Sequence, residues 1–128
     1  MRFRFLTGDV NWQDYGGKFV SKKLNDGVAD YWLVIRFENM HELTGDEGHP
    51  KYWASLCIIS PDELGPEMLA RAMHFSGLED RDPATLTDLM KADLLHGYGA
   101  YDDACQFTGN NCQRVLKEAR DEARYYER

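Results

Sequence analysis

The chain has 128 residues, 43% of them hydrophobic, and a formal charge of -7. That length and apolar content suffice for one core without metals or disulfides, and no run approaches the roughly 20 apolar residues of a membrane span. The acidic balance disfavours general phosphate binding, which needs clustered Lys and Arg.

The amino terminus has no apolar stretch long enough for a secretory signal, and Cys57, Cys105 and Cys112 leave one thiol unpaired in any intramolecular scheme. A cytoplasmic protein with reduced thiols and no membrane association is expected. In chain order, Arg2 to Thr7 reads as a short strand and Gly8 to Gly16 as a loop carrying Asp9, Asn11, Trp12 and Asp14. Gly17 to Leu24 reads as a second strand, and Asn25-Asp26-Gly27 supplies a short hairpin turn. The clearest strand is Ala29 to Glu38, where Ala29, Tyr31, Leu33, Ile35 and Phe37 share one parity. Asn39 to Pro50 forms a long loop, and Lys51 to Ser60 a further strand with Tyr52, Ala54, Leu56 and Ile58 on one side.

At Ser60-Pro61-Asp62-Glu63 the two-residue alternation gives way to helical spacing. A turn precedes a helix over Pro66 to Phe75 with Leu69, Ala72 and Met73 inward and Gly77 stopping it. A second helix is predicted from Pro83, capped by Asp82, to His96, and a short third from Tyr101 to Phe107. The longest helix follows, with Cys112, Val115, Leu116, Ala119 and Ala123 in a stripe. These elements predict a single α+β domain over residues 1-128. An antiparallel meander of three to four strands fills residues 1-60, and three to four helices over 61-128 pack on one sheet face.

If the helices cover one face, the opposite parity, with Trp32, Val34 and Trp53, forms an open aromatic surface fit for a protein partner or a second copy. The charge is also segregated: between Pro61 and Asp103, Arg71, Arg81 and Lys91 stand against ten carboxylates, among them Glu79, Asp80, Asp82, Asp88 and Asp93. The expected function is therefore a noncatalytic protein-interaction module, binding through Trp32, Val34 and Trp53 or through the acidic surface of Asp80, Asp82 and Asp88. A basic partner or a homodimer fits this chemistry.

Three other readings compete. A short helix, a Gly-containing turn and Gln113, Arg114, Lys117 and Arg120 on the last helix resemble the layout of a helix-turn-helix DNA-binding regulator, with Cys105, Gly109 and Val115 at the required spacing and Glu118 against it. An acidic inhibitor could present carboxylates where a nucleic-acid-binding enzyme expects phosphates. A motif-free enzyme could use Asp9 with Asp14, or Glu38 with His41. His41, Glu42 and His49 match no zinc spacing, and no nucleotide-binding or nucleophile-elbow motif occurs, so no catalytic residue, metal or cofactor is assigned.

Overall fold

The computed structural model describes residues 3-4, 17-21 and 23-126. It is α+β, with an antiparallel meander at its centre. Strand β1 (Phe3–Arg4) pairs in parallel with β2 (Gly17–Val20). The remaining pairings, β2 with β4 (Asp30–Asn39), β3 (Leu24–Asn25) with β4, β4 with β5 (Tyr52–Ile59), and β5 with β6 (Asp102–Gly109), are all antiparallel. The spatial order is β1-β2-β4-β5-β6, with β3 alongside the start of β4.

The expected hairpin forms as its sequence dictates. Asn25 Oδ1 accepts from Gly27 N–H at 2.7 Å, Asp26 Oδ1 accepts from Val28 and Ala29 N–H at 2.9 Å each, and Gly27 takes φ 93°. The Asn39 to Pro50 connection contains a short helix α1 (Met40–Thr44), which Asn39 caps by accepting from Glu42 N–H. After β5 come α2 (Pro61–Leu64), α3 (Pro66–Phe75), a 3-10 turn at Pro83–Thr85, α4 (Asp88–Tyr98) and, beyond β6, α5 (Cys112–Tyr126). The predicted Pro83 to His96 helix is thus split: Asp82 caps the 3-10 turn and Thr87 caps α4.

Two expectations are corrected. Tyr101 to Phe107 is not a helix; Asp102–Gly109 is an edge strand whose register against β5 shifts at Leu56/Cys57, leaving Ala104 as the extra residue of a bulge. Thr108, Phe107 and the half-buried Cys105 suit a strand as well as a helix, and seven residues are too few for the 3.6 period to decide.

The helices also cover both sheet faces rather than one. Leu33, Ile35, Phe37, Ala54 and Leu56, the parity expected as core, pack against Val115, Leu116, Ala119 and Ala123 of α5. Val20, Trp32, Val34 and Ile59, of opposite parity, pack against Ala72 of α3 and Ala92 and Leu95 of α4. Both parities of the central strands are apolar, and water would penalise either if left open.

Candidate functional site

The aromatic sheet face is sealed where it was expected to be open. Trp32 is 1% exposed and Val34 fully buried, both under α3 and α4, so neither is available to a partner of the folded chain. Trp53, further along the same parity, is half-buried, with the Arg36 guanidinium 5.6 Å from its ring centroid.

On that face the apolar rows give way to a polar cluster. Lys18, Arg36 and Ser55 are successive cross-strand neighbours, and Val34, Cys57 and Asp103 form the next row. From α4, Asp93 takes a 3.2 Å ion pair with Lys18, whose side chain is 10% exposed, while Arg36 pairs with Glu38 at 3.0 Å. His96, three residues after Asp93 and so on the same helix face, is 4% exposed and stacks on Tyr101 with 4.7 Å between centroids. Neither of its ring nitrogens has a hydrogen-bond partner among the described residues. Burial, reinforced by the Lys18 and Arg36 charges, holds its pKa down at about 4, so the imidazole is neutral at physiological pH.

The Cys57 thiol, in the next row, is pushed up to about 11 by burial, with Ser55 opposing and Asp103 adding to the shift. It is a core sulfhydryl, 3.7 Å from Ser55 Oγ, and not an activated nucleophile. The sequence signals for this cluster were the parity of Lys18 with Val20 and the i,i+3 spacing of Asp93 and His96. Asp103 was hidden by reading its strand as a helix.

Asp80 and Asp82 lie between α3 and α4, and Asp88 opens α4. Asp80 is exposed. Asp82 accepts from Ala84 N–H at 3.0 Å as a cap, and Asp88 lies 3.8 Å from Lys23 Nζ. That ammonium in turn sits 5.3 Å from the Trp32 ring centroid, so Asp88 is tied to the sheet. In the same layer two aromatic rings stay in solvent: Phe75, 69% exposed, and Tyr98, 38% exposed, meet edge to face at 5.5 Å. Local spacing does not single them out, because each closes a helix outside its apolar stripe.

Gln113, Arg114, Lys117 and Arg120 lie on α5 as predicted, but the preceding helix of a helix-turn-helix is replaced by β6. Arg114 pairs with Glu118 at 3.2 Å and Lys117 with Asp121 at 2.7 Å, each one turn away. Of the acid-base candidates, Asp9 and Asp14 lie outside the described residues, Glu38 pairs with Arg36, and His41 Nε2 donates to the His49 carbonyl at 2.7 Å. Asp46 pairs with His49 at 3.2 Å, and the described residues contain no group of three or more His, Cys, Asp or Glu side chains able to hold a metal. No helix among them is long and apolar enough to cross a membrane. No family model, curated protein or solved structure matches this chain.

Proposed function

We propose that the chain is a noncatalytic protein-interaction module that docks a basic protein through the outer surface of its α3–α4 layer. The observation that carries this reading is the exposed Phe75–Tyr98 pair within a segment where three basic side chains stand against ten acidic ones. Exposed aromatic rings supply apolar contact area at the centre of an interface, and surrounding carboxylates steer and orient a cationic partner. Asp80 belongs to this rim. Asp82 and Asp88 contribute charge while also holding local structure, and Trp32 and Val34 act only by supporting α3 and α4 from beneath.

The test is capture from a native lysate by the immobilised full chain and by a Phe75→Ser/Tyr98→Ser variant, at low and high salt. A basic protein retained by the parent at low salt, released at high salt and lost by the variant is the expected result. Retention unchanged in the variant, or no protein retained, overturns the reading. If duplex DNA competes for the captured protein, the module works as a phosphate mimic.

A further inference from the structure

Strand β6 ends the spatial order β1-β2-β4-β5-β6, and all its ladder partners lie in β5. Among the described residues, its outer row of backbone N–H and C=O groups meets no further strand. The features that discourage edge pairing are confined to its first half. Asp102 and Asp103 are exposed, and the bulge at Ala104 interrupts the ladder beside them. Cys105 to Gly109 is uncharged and keeps an even register, from Leu56 opposite Cys105 to Tyr52 opposite Gly109. The pleat sorts its side chains. Cys105 and Phe107 are half-buried against the α5 core, while Gln106 and Thr108 are exposed on the other face, with Ser55 and Trp53. The bulge brings Asp103 onto that same face, where it accepts from the Cys57 thiol at 3.5 Å.

We propose that β6 pairs antiparallel with β6 of a second copy of this chain, joining two sheets about a two-fold axis at Gln106. Residues opposite each other in a ladder share a pleat face, so the axis falls on a residue and not between two. With Gln106 opposite its own counterpart, Cys105 lies opposite Phe107 and, past the bulge, Asp103 lies opposite Thr108, each contact made twice by symmetry. Apolar side chains then meet on the α5 face, and amide meets amide and carboxylate meets hydroxyl on the other. The aspartates of one copy never face those of its partner. Moving the axis to Cys105 sets Asp102 opposite Phe107, and moving it to Phe107 carries Asp103 past Gly109, so Gln106 gives the best-matched overlap. The occupant is a second copy because this edge supplies its own complement: the blunted, acidic end of one β6 meets the regular, uncharged end of the other. The inference goes beyond the docking of a basic protein and uses neither Phe75 nor Tyr98.

It is tested by sedimentation velocity of the full chain over a concentration series in about 0.15 M salt, where the charge of -7 on each copy is screened beyond about 8 Å. The parent should dimerise reversibly, and amide hydrogen exchange in residues 102-109 should slow as the dimer fills. Thr108→Asp places a carboxylate opposite Asp103 at both ends and should raise the dissociation constant about tenfold, whereas Thr108→Lys should lower it by a similar factor. Opposite signs at one exposed position separate this pairing from a loss of fold, which would act in one direction. Ala70→Asp and Ala70→Lys, at an exposed position of α3, control for net charge and should leave dimerisation as in the parent. A parent that stays monomeric up to about 1 mM, Thr108 variants that match the Ala70 controls, or exchange that slows outside residues 102-109 instead overturns the proposal.

Discussion

His96 holds an uncharged imidazole where charging it is costly, and that fixes the sign of its pH effect. Its folded pKa, about 4, lies below the unfolded value of 6.5, so the unfolded chain binds the additional proton first. Its contribution to stability is complete above pH 6.5 and is lost as pH falls toward 4. The size, from a shift of this order, is on the order of 3 kcal/mol. His96→Leu should flatten that part of the stability-pH curve in urea titrations, and at pH 7 it should cost little because it removes two buried nitrogens that lack partners. A curve equally steep in the variant would show that other groups set the acid limb. Cys57 offers a second check at this scale. With its thiol pushed up to about 11 and its side chain fully buried, alkylation of the native protein at pH 8 should spare Cys57, while the half-buried Cys105 and Cys112 react. Peptide mass mapping reads the difference, and Cys57 should become labelled only when the chain is unfolded.

At the scale of elements, the layer that covers Trp32 hangs on its caps. Thr87 Oγ1 accepts from Met90 N–H at 3.2 Å, and Gly99 ends α4 at φ 87°. Thr87→Ala should therefore cost about 1 kcal/mol by urea unfolding. It should leave α5 packing untouched, because α5 lies across the sheet. Leu56→Ala, which empties a fully buried position under α5, should cost about 3 kcal/mol. The contrast explains what could be read in advance. α5 was legible because Val115, Leu116, Ala119 and Ala123 keep a helical stripe on an otherwise polar element. Pro66 to Phe75 was legible because Pro opens it and Gly77, at φ 75°, follows it. The split before α4 was not, since Asp82 and Thr87 are both good caps and only the packing of Leu86, which is buried, chooses between one helix and two. β6 was hidden because its strand character comes from pairing with β5, which local spacing does not encode.

For the whole molecule, the sequence revealed a charge asymmetry but not what opposes it. The α3–α4 layer lies on a sheet face beside which stand Lys18 of β2 and Lys23 of the chain between β2 and β3, and the pairs Lys18–Asp93 and Lys23–Asp88 link the two. Trp32 and Val34 show the same limit: their parity was right, yet whether a second helical layer covers that parity depends on α3 and α4 folding back over β4, a long-range event. The balance of charge decides how salt acts. Screening weakens the exposed Lys23–Asp88 pair, which contributes well under about 1 kcal/mol, and barely reaches the mostly buried Lys18 ammonium. It also relieves repulsion in the stretch from Pro61 to Asp103, which has ten carboxylates against three cations, and within a chain of net charge -7. The repulsive terms are the more numerous and the more exposed, so added sodium chloride should raise the melting temperature, by a few degrees for a gain of about 1 kcal/mol in a domain of this size. Lys18→Met should lower stability at every salt concentration, because it removes the ammonium that Asp93 pairs with and adds one net negative charge, and should steepen the salt-induced rise. A melting temperature that falls with salt would mean that the cross-layer pairs outweigh the repulsion they oppose, and that the acidic layer is held to the sheet by charge more than by Ala72, Ala92 and Leu95.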